Sequence, residues 1–111
     1  MKKAIIYARY SKTQNCKEQI QKQVTCCERF AENYGFEAVR DYVDIDKLHK
    51  KRNNRCQLKK MLKDGRKKKW EAVLVCGIDR ITRDYKQYVK ILKELENVGV
   101  KIINCSGGDE E

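Results

Sequence analysis

Short apolar runs alternate with stretches of helical periodicity along this chain, and the alternation constrains its fold more than any other feature. Residues 4–8 and 72–76 are apolar runs of the length of a buried strand. Between them, apolar residues recur at steps of three and four, which predicts one face of an amphipathic helix: Ile20, Val24, Cys27, Ala31 and Tyr34. Strands separated by helices form β-α-β crossovers, so we expect a parallel sheet with helices on both faces.

Glycines and composition shifts place the other elements of the first half. The first helix is predicted from Cys16 to Tyr34, and Gly35 is well placed to end it. A second strand follows over residues 37–43. The stretch 44–55 is polar, basic and aperiodic, which predicts a loop.

The second half repeats the alternation. Apolar residues within 58–62 predict a shorter helix that ends near Gly65. Asp84 is placed to cap a third helix, Gly99 ends it, and a fourth strand covers 100–103. The predicted inner face of this third helix consists of Tyr85, Tyr88, Leu92 and Leu95. The fold class is therefore α/β, in three α/β/α layers around a mainly parallel sheet of about four strands.

Length and charge limit the possible roles of the chain. Its 111 residues suit one domain, for which we expect residues 1–106, with 107–111 as a flexible tail. Twenty-six Lys and Arg against 16 Asp and Glu give a net charge of +10, which suggests a nucleic-acid partner, although a lysine-rich surface also serves solubility. No apolar run approaches the ~18 residues of a membrane span and the N-terminus lacks signal-peptide features, so we expect a cytoplasmic protein without a membrane partner.

The cysteines favour reduced thiols over disulfides or a metal site. There are six, but no C-x-x-C pair occurs, and the neighbours Cys26 and Cys27 cannot easily bridge each other or chelate one ion. His49 is the single histidine, which excludes a multi-histidine metal site. We expect no metal and no other cofactor.

Arginine and serine follow two of the predicted strands. If the first and third strands are neighbours, four residues converge on one edge of the sheet: Arg9, Ser11, Arg80 and Arg83. A serine hydroxyl can act as a nucleophile, and arginine binds phosphate through paired hydrogen bonds. The chain has 18 lysines and 8 arginines, yet both strand ends use arginine alone, as fixed-geometry recognition favours. These residues also allow another interpretation, in which the serine lies in an ordinary turn and the arginines pair with Asp44, Asp79 or Asp84.

Four motifs resemble those of resolvase and invertase type serine recombinases. Residues 7–11 are similar to the family's Y-x-R-x-S opening. Residues 79–83 resemble its D-R-L-x-R segment, with Ile81 in place of leucine. Residues 55–62 resemble the R-x-x-L-x-x-M-L block of its second helix, and Gln23 matches a helix-borne glutamine. The order and spacing of the motifs agree with the family over nearly the whole chain.

The resemblance implies a resolvase-like catalytic domain that cleaves and rejoins DNA in site-specific recombination. Ser11 would attack a DNA phosphodiester and form a 5′-phosphoserine, with the released 3′ hydroxyl reversing the attack after strand exchange. Arg9, Arg80 and Arg83 would surround the phosphate, Arg55 would be delivered by the preceding loop, and Asp79 would orient the arginines or assist proton transfer. The residues that would support DNA binding are Tyr7, Gln23 and Gln14, with the neighbouring Asn15 as an alternative to Gln14. The implied partners are double-stranded DNA and further copies of the chain, as a dimer that assembles into a tetramer.

The chain departs from the family in two places. The loop after the second strand lacks the common Ser-Gly pair. Family members also continue into a long helix and a DNA-binding domain, so we expect the chain to be truncated at its C-terminal side and little active alone. Two other functions stay open: a magnesium-dependent nuclease with Asp44, Asp46 and Asp79 as ligands, and a DNA-binding remnant without catalysis.

Overall fold

A computed structural model describes residues 2–11, 16–46, 56–67, 70–77, 80–81 and 84–106. Within these ranges strands and helices alternate as predicted: β1 (Lys2–Ser11), α1 (Cys16–Tyr34), β2 (Phe36–Asp46), α2 (Cys56–Gly65), β3 (Ala72–Val75), α3 (Tyr85–Asn97) and β4 (Lys101–Asn104). None of the helices described combines the length and apolar character needed to span a bilayer.

The described strands form one parallel sheet in the order β2-β1-β3-β4, which confirms the predicted α/β class. β1 pairs with β2 from Lys2 to Ser11. Its pairing with β3 stops at Tyr7. The carboxyl end of β1 therefore continues beyond β3, and its peptide groups on that side need other partners.

The two faces of the sheet are packed with different residue types. On the face of α2 and α3 the core is built from large side chains: Ile5, Tyr7, Tyr42, Leu58, Met61, Trp70, Val73, Val75, Ile81, Ile91, Leu95 and Val100. On the face of α1 the fully buried residues are mostly small: Ala4, Ile6, Cys27, Ala31, Ala72, Leu74 and Cys105. Alternation along β1 sends Ile5 to the first face and Ile6 to the second, as the period of a strand requires. Small side chains let the α1 backbone lie close to the strands.

Three sequence expectations need correction. β2 extends to Asp46, where a loop was expected from residue 44, because the parallel ladder with β1 continues to the end of that strand. The inner stripe of α3 is Tyr88, Ile91, Leu95 and Val98, which is rotated from the predicted one and leaves Tyr85 77% exposed. Tyr34 is 61% exposed and stacks on Phe30 instead of entering the core.

The predicted helix ends are confirmed. The Asp84 carboxylate accepts a hydrogen bond from the Lys86 N–H at 3.0 Å and so caps α3. Gly35 and Gly99 have φ angles of 78° and 79°, a region that side-chain-bearing residues rarely adopt. They end α1 and α3 where the sequence placed the breaks.

Candidate active site

The backbone at the carboxyl end of β1 is held by a glutamine from α1. The Arg9 N–H donates to Gln23 Oε1 at 3.1 Å, and Gln23 Nε2 donates to the Arg9 carbonyl oxygen at 3.1 Å. The side-chain amide thus takes the place of a neighbouring strand at a point that β3 does not reach. Gln23 is only 2% exposed, so the burial of its amide is offset by both hydrogen bonds. This contact fixes the strand two residues before Ser11.

An arginine from the exit of β3 meets the same peptide. Arg80 Nη1 donates to the Arg9 carbonyl oxygen at 3.3 Å. The turn that carries it begins at Gly77 (φ 101°), whose carbonyl accepts from the Arg80 N–H at 3.2 Å. Ile81 is fully buried and anchors the other side of Arg80 in the core. The predicted meeting of the two strand exits is therefore present at Arg9 and Arg80.

Asp44 joins β1, β2 and α2 at this edge of the sheet. Its carboxylate accepts hydrogen bonds from the Tyr7 hydroxyl (2.8 Å) and from the Gln57 and Leu58 N–H groups (both 2.9 Å). The two amides belong to the first turn of α2, where N–H groups have no partner within the helix. A carboxylate there also interacts favourably with the helix dipole. Asp44 is 6% exposed, so this buried anion positions the start of α2.

The predicted site residues divide into three groups. Arg9, Gln23 and Arg80 are joined by hydrogen bonds at the carboxyl end of β1, and Tyr7 lies two residues before Arg9 and donates to Asp44. Ser11 ends β1, and its backbone is in register with Asp46 on β2. The other predicted residues lie outside the described part of the chain: Gln14, Arg55, Asp79 and Arg83.

Sequence reasoning missed the structural use of Asp44 and interpreted it only as a possible arginine partner or magnesium ligand. The carboxylate oxygens of Asp44 accept hydrogen bonds from a helix that begins 12 residues later, so no local capping pattern in the sequence marks this residue. One faint signal exists, since the residue before Cys56 is Arg55, which cannot cap a helix with a side-chain acceptor. With three donors already on its two oxygens, Asp44 is poorly suited to bind a metal as well. In the described ranges no cluster of three or more His, Cys, Asp or Glu side chains is arranged to hold a metal ion.

Comparison with known proteins gives consistent results. The family model described as the resolvase N-terminal domain matches residues 4–111. Among solved structures, a resolvase family site-specific recombinase from Streptococcus pneumoniae aligns with a TM-score of 0.85 and 26% identity, over 97% of this chain and 74% of that one. The catalytic domain of the IS607-like serine recombinase ISC1926 TnpA aligns with a TM-score of 0.78 and 25% identity, over 92% and 68%.

A more distant structure agrees in fold. The N-terminal catalytic domain of TP901-1 integrase has a TM-score of 0.80 at 22% identity, over 96% of this chain and 78% of that one. A search of curated protein sequences gives no significant match.

Proposed function

Because the chain belongs to the resolvase N-terminal domain family of serine recombinases, we propose that it cleaves and rejoins DNA through a phosphoserine at Ser11. Residues 1–106 form the catalytic domain in this proposal. The observation that carries it is the clamp on Arg9, where Gln23 binds both backbone groups of Arg9 and Arg80 donates to the same carbonyl oxygen, two residues before Ser11. A nucleophile must be positioned accurately for in-line attack, and a fixed strand end provides that positioning.

The proposed reaction is a transesterification. The Ser11 oxygen forms a bond to phosphorus, and the bond from phosphorus to the 3′ oxygen of the neighbouring nucleotide breaks. The serine loses its proton, and the leaving oxygen gains one to become a free 3′ hydroxyl. The reverse attack by a 3′ hydroxyl restores the phosphodiester and frees the serine, so no external energy source is required.

Arginine supplies the electrostatic part of the proposal. Negative charge grows on the non-bridging phosphate oxygens during transfer, and guanidinium groups can neutralise it. Arg9 and Arg80 already lie at the β1 exit, and Arg83 would join them from the segment that follows Arg80. Asp79 would orient these side chains. Tyr7 supports the arrangement through its bond to Asp44.

Asp44 has an indirect role in this scheme. It binds the first turn of α2 and so fixes where that helix starts relative to β1. Arg55 immediately precedes α2 in the chain. We infer that Asp44 is the positioning residue that brings Arg55 toward the phosphate, while Gln14 and Gln23 support the strand end and the DNA beside it.

The partner in this proposal is double-stranded DNA, bound by a dimer that assembles into a tetramer for strand exchange. The net charge of +10 suits a polyanionic partner. Because DNA affinity of this kind depends on counterion release, binding should weaken steeply as salt rises.

The test is a cleavage assay that separates serine chemistry from metal chemistry. The full-length protein is incubated with DNA fragments from its source genome, and protein-linked DNA is recovered under denaturing conditions. Wild type and the control variant Ser106→Ala should retain equal amounts of DNA, with or without a chelator. Ser106 is a suitable control because it is an exposed serine after the edge strand β4, and its hydroxyl donates to Asn104 Oδ1.

Ser11→Ala should abolish retention of DNA. Cleavage that persists in Ser11→Ala and disappears with the chelator would replace the proposal with a metal-dependent nuclease. DNA binding without any covalent retention by wild type would contradict catalysis and favour a non-catalytic remnant.

A further inference from the structure

A cleft of about 360 Å³ is lined by residues of β1, β2 and the second half of α2, together with Trp70. Its lining combines three cations, one carboxylate and three apolar or aromatic side chains: Lys3, Arg40, Lys60, Asp64, Val39, Tyr42 and Trp70. Lys3 precedes Ser11 by eight residues on β1, which is roughly 26 Å at about 3.3 Å per residue. The cleft extends from Lys3 to Tyr42, the register partner of Tyr7, and its lining includes none of Arg9, Gln23 and Arg80.

The guanidinium of Arg40 is held in a fixed orientation within this cleft. Its Nη1 lies 3.5 Å from Asp64 Oδ2, and its Cζ lies 4.6 Å from the centre of the Tyr42 ring. The Tyr42 hydroxyl donates to the same Asp64 oxygen at 2.7 Å, which fixes the carboxylate in turn. The Arg40 side chain is still 45% exposed. A cation oriented in advance loses less entropy when it binds an anion.

Charge in the cleft favours an anionic ligand. Lys3 and Lys60 are exposed and add to Arg40, while Asp64 offsets one of these charges, so the lining has an excess of two positive charges. Excess charge of this size matches one phosphate group, which carries up to two negative charges at neutral pH.

One side of the cleft is apolar and is formed by Trp70, which packs on the end of α2. The Trp70 indole is 5% exposed, and a methyl group added at Gly65 would lie 3.0 Å from its ring. Glycine at this position thus allows the indole to pack against the end of α2. Val39, which is 43% exposed, also lines the cleft and leaves an apolar surface open to solvent. Such a surface suits a flat ring better than a second charged group.

We propose that this cleft binds a phosphorylated ring compound of mononucleotide size. The phosphate is held by Lys3, Arg40 and Lys60, and the ring lies on the exposed Val39 side chain beside Trp70. Both contacts of Asp64 described above are made by Oδ2, and in this proposal its other oxygen, Oδ1, accepts hydrogen bonds from N–H groups on the ring edge. The volume lies within the range of small-molecule pockets, roughly 300–1,000 Å³.

Trp70 is the single tryptophan of the chain, so its indole N–H gives one assignable resonance in a nuclear magnetic resonance spectrum. Titration with guanosine 5′-monophosphate should shift this resonance saturably, with a Kd below about 1 mM. Guanosine and inorganic phosphate should each bind at least about tenfold more weakly, because guanosine lacks the phosphate that the cations bind and inorganic phosphate lacks the ring. Lys60→Ala should weaken the nucleotide about tenfold, whereas the matched exposed variant Lys101→Ala, at a different cleft, should not.

The same titration can overturn the proposal. No saturable shift up to about 10 mM nucleotide, or equal affinity in Lys60→Ala and wild type, would contradict it. A short DNA duplex that shifts the resonance while the free nucleotide does not would make the cleft a DNA backbone contact instead. Ser11→Ala should bind the nucleotide like wild type, so this result stands apart from the recombinase proposal.

Discussion

Each end of α2 is held by a tyrosine–aspartate pair, and the two pairs differ in nearly every other respect. At the helix start Tyr7 donates to Asp44, and at the helix end Tyr42 donates to Asp64. The two tyrosines are register partners on β1 and β2 and belong to one core cluster. Asp44 is 6% exposed and also binds two backbone N–H groups. The side chain of Asp64 is 21% exposed and lies beside Arg40.

The difference shows how one residue pair can serve two purposes. Asp44 lies at the helix N-terminus, where the dipole favours an anion, and its hydrogen bonds satisfy groups that water does not reach. Asp64 lies in the last turn, where the dipole opposes an anion. There the hydrogen bond from Tyr42 holds the pKa of Asp64 below its usual value, and the charges of Arg40, Lys60 and Lys67 add to the effect. The first pair secures the proposed catalytic edge, and the second builds a cleft that faces solvent.

The largest expected effect comes from removing the two carboxylates in turn. Asp44→Ala leaves the buried Tyr7 hydroxyl and two helix N–H groups without their acceptor, so we expect the free energy of unfolding to fall by about 3 kcal/mol. Asp64→Ala should cost less than a third as much, because water can replace the lost acceptor. Urea unfolding of both variants gives the comparison. Equal losses would mean that the two pairs are energetically alike.

A smaller effect is expected from removing only the hydroxyl groups. Tyr7→Phe takes one donor from a buried carboxylate, which we expect to lower the free energy of unfolding by about 1.5 kcal/mol. Tyr42→Phe should lower it by about 0.5 kcal/mol, since Asp64 keeps Arg40 nearby. Only Tyr7→Phe should also slow DNA cleavage, because it alone loosens the edge near Ser11. A larger cleavage defect in Tyr42→Phe would reverse the roles assigned to the two pairs.

The last expected effect is a dependence of stability on alkaline pH at the second pair. Burial first, and the hydrogen bond to Asp64 second, raise the pKa of Tyr42 to about 12, from 10.0 for a free tyrosine. A raised pKa means that the folded state favours the protonated phenol. The stability contributed by this group is therefore complete below pH 10.0 and is lost as the pH rises toward about 12.

The measurement is the difference in unfolding free energy between wild type and Tyr42→Phe across that pH interval. The difference should shrink as the pH rises, because only wild type loses the contribution. Tyr85→Phe, a change at an exposed ring, serves as the control for the titration of other groups. A difference that stays constant over the interval would contradict the assignment.

How far the sequence predicts this molecule depends on whether the signal is local. The alternation of strands and helices, the cap at Asp84 and the breaks at Gly35 and Gly99 follow from neighbouring residues, and all are confirmed. The last part of β2 was missed because Asp44-Ile45-Asp46 has little strand preference of its own and is ordered by pairing with β1. The inner face of α3 was misplaced because two adjacent apolar stripes share Tyr88 and Leu95, and only packing on the sheet selects between them.

The same distinction between local signals and tertiary packing applies to the candidate site. Arg9 and Arg80 could be predicted to converge because both follow parallel strands, and the sheet order makes those strands neighbours. The hydrogen bonds that hold the site could not be predicted, because Tyr7 and Asp44 are 37 residues apart and no periodicity connects them. Gln23 was identified by resemblance, but its two hydrogen bonds to the Arg9 backbone are a property of the tertiary fold.

The measurement that tests the central proposal most directly is the identity of the residue bound to cleaved DNA. The covalent complex of the full-length protein is digested with nuclease and protease, and the modified peptide is sequenced by mass spectrometry. We expect a nucleotide 5′-phosphate on Ser11 and free 3′ hydroxyl ends on the DNA. A phosphate on any other residue, or cleaved DNA with both ends free of protein, would contradict it.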